Sequence, residues 1–218
     1  MCIRDRSDGT QVAFDRALAA LGRRVEAGDL ELSAAGVRLD RRGAVDVDAS
    51  LRTSNPRIRA AGDVTPLPRF THTAGMYGSV AATNAVLGLS RRIDADVVPR
   101  ITFTSPEVAA VGITPDDAPG RGMRVVVHSH AHLDRAIADG HTDGFTSIVV
   151  DRRGRVTGAV IVGPRAGESL AEYTVAVKTG MNVRTLATTM HAYPSYSDAG
   201  WNALSLIHIS EPTRPLYI

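Results

Sequence analysis

The stretch Arg57-Ile58-Arg59-Ala60-Ala61-Gly62-Asp63-Val64 carries residue types spaced for ligand chemistry. A short extended run enters a bend of very small residues, and the bend ends on one carboxylate. Ala60, Ala61 and Gly62 let a bulky planar ligand lie close against the backbone. Asp63 would face such a ligand as an acceptor for hydroxyl groups. The same residues also fit a plain strand-to-helix turn capped by Asp63. A second cluster is His128-Ser129-His130-Ala131-His132. On a strand, three imidazoles at period two project from one face, which suits zinc or copper. No thiol or carboxylate pattern completes that set, although Asp134 lies near. An exposed edge-strand face accounts for the run as well, and no metal site is assigned.

The elements that must position these groups fall into two parts. Val12-Ala13-Phe14 reads as a strand. Residues 36–40 and 43–48 alternate apolar and polar positions like a two-stranded meander, turning at Arg41-Arg42 and Gly43. A helix is expected over Gly75–Leu89, with Met76, Val80, Ala81, Ala85 (or Asn84) and Leu87 at helical spacing. Residues 93–100 read as a linker. Beyond it, Pro106 separates two β-rich segments, and Thr114-Pro115-Asp116-Asp117 has the form of a helix start. Strands are expected at Met123–Val127, Phe145–Val150 and Val156–Val162, with Asp151-Arg152-Arg153-Gly154 as a hairpin turn. Gly167–Thr179 reads as a helix closed by Gly180, and Val183–Thr188 as a shorter one. Strands followed by helices predict an α+β domain, an antiparallel sheet with helices on one side.

Composition narrows the function classes. The chain has 218 residues, a net charge of +2 and a single lysine, Lys178, among 25 basic residues. So small a charge argues for neither nucleic acid nor an acidic membrane surface as partner. The one cysteine, Cys2, precludes a disulfide framework within the chain. No apolar run approaches the ~20 residues of a membrane span. No Gly-x-Gly-x-x-Gly turn and no Cys-x4-Cys pair occurs. Residues 1–6 translate ATG TGT ATA AGA GAC AGN, and residues 204–214 translate the opposite strand of the same transposase-type sequencing adapter. The expectation is therefore a natural segment of about Ser7–Ala203 from a longer gene, with residues 1–6 and 204–218 non-native.

Leu51-Arg52-Thr53-Ser54, Ile58–Val64 and Phe70-Thr71-His72-Thr73-Ala74 together resemble the second flavin-binding motif of the pyridine nucleotide–disulfide oxidoreductases. Residues 11–24 resemble the family segment that leads out of the nicotinamide domain and back to the flavin domain, with Leu21 where Thr is usual. Ile101–Thr114 resembles the opening of the family's interface domain. The resemblance implies that residues 7–92 end an FAD/NAD(P)-binding, Rossmann-like region and that residues 101–203 form a dimerisation domain. It implies FAD and NAD(P)H as cofactors, with Gly62, Asp63, Phe70, Thr71 and His72 at the flavin. It also implies a cytoplasmic homodimer joined through residues 101–203, acting on a small-molecule, disulfide or metal acceptor.

Met190-His191-Ala192-Tyr193-Pro194-Ser195-Tyr196-Ser197-Asp198 stands where the family carries a His-Pro…Glu acid/base element. Tyr193 replaces the catalytic His, Asp198 the Glu, and His191 matches the preceding, non-catalytic His. A phenol with a reference pKa near ~10 is a poor base at neutral pH but can donate a proton or a hydrogen bond. Asp198 could orient Tyr193 as the Glu orients the His. The departure points to mercuric-reductase-like members, and the catalytic pair expected from the resemblance is Tyr193 with Asp198. Rival readings are a dimerisation module without its own activity and a His-face metal-binding protein.

Overall fold

The computed structural model describes residues 2–5, 8–25 and 27–209. The chain separates into two compact units that part between Arg92 and Ile93.

In the first unit β1 (Cys2–Asp5) pairs antiparallel with β2 (Gln11–Phe14), Cys2 lying opposite Phe14. Part of the segment expected to be adapter-encoded thus takes part in a hairpin, because ladder bonds use main-chain groups that every residue carries. The expected meander shrinks to one bridge, Leu39 to Val45. Main-chain bonds from Asp40 N–H to the Ala44 carbonyl at 2.7 Å and from Asp46 N–H to the Arg38 carbonyl at 3.1 Å flank that bridge, and side chains add to them. Asp40 Oδ1 accepts from the N–H groups of Arg42 and Ala44 at 2.8 and 2.9 Å. Asp48 Oδ1 accepts from those of Ser50 and Arg52 at 2.8 and 3.0 Å. Such Asx turns compete with regular structure.

Helix α1 runs from Thr71 to Leu87 and closes on Gly88. It begins four residues before the expected Gly75, because Thr73 reaches back from inside the first turn and its Oγ1 accepts from the Phe70 N–H at 3.1 Å. Its buried face is Thr73, Tyr77, Val80, Ala81 and Asn84, whereas Met76 and Leu87, expected inside, are exposed. Asn84 Nδ2 donates to the carbonyls of Ser50 and Arg91 at 3.3 and 2.8 Å, and its Oδ1 accepts from the Arg91 N–H at 2.9 Å.

The second unit is built on β3 (Arg100–Thr102), β4 (Glu107–Gly112), β5 (Arg124–Ser129), β6 (Phe145–Val150) and β7 (Val156–Gly163). They form one antiparallel sheet in the order β3-β4-β7-β6-β5. A short helix, α2 (Asp134–Asp139), precedes β6; α3 (Ala166–Thr179), α4 (Val183–Thr188) and α5 (Asp198–Ile209) follow β7. Register places Val111 opposite Ala159 and Ala159 opposite Ile148, so these side chains share a face. They join Leu170, Tyr173 and Ala176 of α3, Val183 and Leu186 of α4, and Ala203 and Leu204 of α5 in one core. The α+β architecture read from the sequence is the architecture observed, with helices on one face. On the opposite face Val108, Val127 and Phe145 stay open to solvent.

Two local readings change. Thr114–Asp117 starts no α-helix: Thr114 Oγ1 donates to Asp117 Oδ2 at 2.7 Å, and only a 3-10 turn follows at Pro119–Arg121. Pro119 lacks the N–H that a continuing helix would need. Helix α5 extends beyond Ala203, and Leu204 packs into the core although residues 204–218 were expected to be foreign. Among the described residues no helix is long and apolar enough to cross a membrane.

Candidate functional site

In the first unit the small-residue bend becomes a 3-10 turn over Gly62–Val64. Gly62 has φ +79°, and a Cβ there would sit 3.2 Å from the Cβ of Ala74 on α1. Any other residue would be strained by its backbone and crowded by the helix. Asp63 caps nothing. Its Oδ2 accepts from Arg23 Nη1 at 2.7 Å, and its side chain is 45% exposed. Arg69 Nη1 donates to the Arg23 carbonyl at 2.7 Å, tying the segment after β2 to the loop before α1. Beside this tie lies a cavity of 920 Å³ lined in part by Arg23, Arg24, Asp40, Arg42, Arg69 and Phe70. Phe70 immediately precedes α1, and its ring stacks on His72 at 5.2 Å between centroids and 11° between planes. Thr71 is the first helical residue and is exposed. Arg23 therefore connects the two halves of the expected flavin motif: it holds Asp63 and lines the cavity with Phe70.

In the second unit a cavity of 620 Å³ is lined by His132, Asp134, His191, Tyr193, Asp198 and Trp201, among others. Tyr193 and Asp198 thus share one cavity, but Asp198 does not hold the phenol. The Tyr193 hydroxyl donates to Asp134 Oδ2 at 2.5 Å, while Asp198 Oδ2 accepts from Asn202 on its own helix at 3.1 Å. The carboxylate of Asp198, at the head of α5, is engaged one turn on. Asp134 raises the pKa of the 70% exposed phenol above its ordinary value, through the hydrogen bond and its charge.

Two further residues fix this loop. His191, with a side chain only 9% exposed, sets Nε2 against Glu172 Oε1 at 2.9 Å and Nδ1 against the Thr189 carbonyl at 2.9 Å. With both ring nitrogens engaged, it ties the loop to α3 and has none free to carry a proton to a substrate. Tyr196 is buried with Leu133, Ala136 and Ala199, and its hydroxyl donates to Asp139 Oδ2 at 3.1 Å.

The three histidines do not form the expected face. The strand ends at Ser129, and His130 and His132 lie in a 3-10 turn. His130 is wholly buried, its Nε2 3.0 Å from Thr146 Oγ1 and its Nδ1 without a partner among the described residues. Burial, with the nearby His128, pushes its pKa down to about 4. Among the described residues no group of three His, Cys, Asp or Glu side chains is placed to hold a metal.

Asp134 and Arg23 are the site residues the sequence did not single out for these roles. They lie 59 and 40 positions from the side chains they bind, and no local pattern links residues so far apart.

Comparison with known proteins agrees with this layout. The family model for the pyridine nucleotide-disulphide oxidoreductase matches residues 4–78, and that for the family's dimerisation domain matches residues 98–204. A dihydrolipoyl dehydrogenase of Chlamydia muridarum is 33% identical over 94% of this chain and 44% of its own length. A mercuric reductase of Bacillus cereus is 40% identical over 84% of this chain and 29% of its own. Among solved structures, LpdA from Mycobacterium tuberculosis superimposes with a TM-score of 0.84 at 30% identity, covering 94% of this chain and 45% of that one. The HOCl-induced flavoprotein disulfide reductase RclA from Escherichia coli, in its Cu(II) complex, gives 0.82 at 27% identity, with coverages of 94% and 49%. The chain thus spans less than half the length of these relatives. With both family regions matched in order along a fold of the same kind, the chain belongs to the pyridine nucleotide-disulphide oxidoreductases.

Proposed function

We propose that the chain forms the end of the flavin-binding region and the interface domain of an FAD-dependent oxidoreductase that draws electrons from NAD(P)H. The observation that carries this reading is the Gly62–Asp63 bend, pressed against α1 with its carboxylate half open. A ribityl chain needs a hydroxyl acceptor beside a backbone without bulk, and Asp63 next to Gly62 supplies both. Arg23 takes Oδ2 and holds the carboxylate in place. Phe70, Thr71 and His72 would border the ring system, with Phe70 and His72 already stacked. Bound FAD supplies the hydride and electron chemistry that no side chain here possesses.

The chain's own groups then orient and protonate. Tyr193 has its proton at neutral pH, since Asp134 raises an already high pKa. It therefore serves as a hydrogen-bond or proton donor to a reduced acceptor rather than as a base. The acceptor class stays open among disulfides, metal ions and small molecules. The exposed apolar side chains Val108, Val127 and Phe145 support a homodimer through residues 101–203, which would bring Tyr193 to the partner's active site. By itself the chain is expected to be inactive. The test is the full-length protein: it is expected to purify yellow, and Asp63→Ala is expected to lower its flavin content. Equal flavin in mutant and parent would remove Asp63 from the site.

A further inference from the structure

We infer that Asp134, not Asp198, is the positioning residue for the Tyr193 hydroxyl in the acceptor cavity. The inference rests on the reading of Tyr193 as the donor group. Its basis is how rigidly the two segments are docked. The loop 193–197 meets α2 at both ends of that helix through two phenols: Tyr193 donates to Asp134, the first residue of α2, and Tyr196 to Asp139, the last. Between them Leu133, Ala136, Tyr196 and Ala199 form a buried apolar cluster of their own. Asp139 is further held by Arg135 at 2.9 Å. From the other side, the buried contact of His191 with Glu172 fastens the loop to α3. The Asp134 carboxylate is thus presented to the phenol by a packed element rather than by a free side chain.

Asp198 shares the cavity but spends an oxygen on Asn202, within its own helix. The ionisable groups that face Tyr193 are Asp134 and His132 from the segment at α2, Asp198 from α5, and His191 from its own loop. Only Asp134 accepts the phenol's hydrogen bond. A carboxylate there fixes the direction of the O–H and disfavours the phenolate, so the group keeps its proton for an acceptor entering the cavity.

The experiment is a spectrophotometric titration of tyrosine ionisation in the full chain, with Tyr193→Phe identifying the Tyr193 component. Asp134→Asn is expected to lower the apparent pKa of that component. Asp198→Asn is expected to move it much less. Equal shifts in both variants, or a larger one in Asp198→Asn, would overturn the assignment. Circular dichroism and the Tyr196 component, unchanged in Asp134→Asn, show that the loop remains docked. This readout needs no turnover. If Tyr193→Phe leaves acceptor reduction by the full-length enzyme untouched, the donor reading fails while the Asp134 coupling stands.

Discussion

The two units hold their functional groups by different means. Up to Arg92, much of the backbone outside α1 is irregular and side chains help to hold it: Asp40, Asp48 and Asn84 each take two or more main-chain partners. From Ile93 onward, a five-stranded sheet and its helices bury a continuous apolar core, and the candidate donor sits on a loop clamped to that frame. Asp63 therefore depends on polar bonds between distant segments, whereas Tyr193 depends on packing. Hydrogen bonds are directional and individually modest; packing is collective.

The sharpest way to break this contrast is to remove core volume. Leu170→Ala, on the buried face of α3, is expected to destabilise the second unit by about 3 kcal/mol in a urea titration followed by Trp201 fluorescence. A loss below ~1 kcal/mol would mean that packing is not what holds this unit.

Acid offers a second lever, through buried His130. Its folded pKa of about 4 lies below the ordinary 6.5, so the unfolded chain binds the extra proton between those values. Stability is then full above pH 6.5 and falls as the pH drops toward 4, by about 3 kcal/mol in all. His130→Gln is expected to be weaker at pH 7 but to lose this slope. Parallel pH curves for the two proteins would rule out His130 as the source.

In the polar unit, Asn84→Ala strands the Arg91 carbonyl and N–H, the Ser50 carbonyl keeping Arg59 at 2.9 Å, and is expected to cost about 2 kcal/mol. Thermal melting of the full chain would report it, and a neutral outcome would show that water replaces the amide freely. The smallest effect belongs to Arg23→Ala. That ion pair is largely exposed, so stability is expected to change by less than ~1 kcal/mol, while flavin retention in the full-length protein weakens. A large stability loss with flavin unchanged would make the pair a structural bond.

The sequence was most legible where apolar periodicity and turn chemistry agree. Phe145–Val150, Val156–Gly163 and the helix ending at Gly180 stand within a residue or so of the expected limits. Alternation at residues 36–48 overstated the length of the pairing: the two segments meet only around the Leu39–Val45 bridge, with Asp40 closing the turn between them. Helix spacing found α1 and placed Val80 and Ala81 inside, with Asn84 as the alternative to Ala85. It also turned Met76 and Leu87 inward and missed Thr73, which is buried to satisfy main-chain groups. Of the candidate site, Gly62, Asp63 and Tyr193 are the residues that local motifs single out. Their partners Arg23 and Asp134 could not, because tertiary folding alone brings them near.

The exposed apolar side chains of the sheet have a practical consequence for handling the protein. Val108, Val127 and Phe145 offer apolar surface to solvent, and β3 and β5 are the edge strands of the sheet. Molecules concentrated without a mate for that surface would tend to stick to one another in uncontrolled registers. Yield and shelf life of the purified chain should therefore depend on how dilute it is kept.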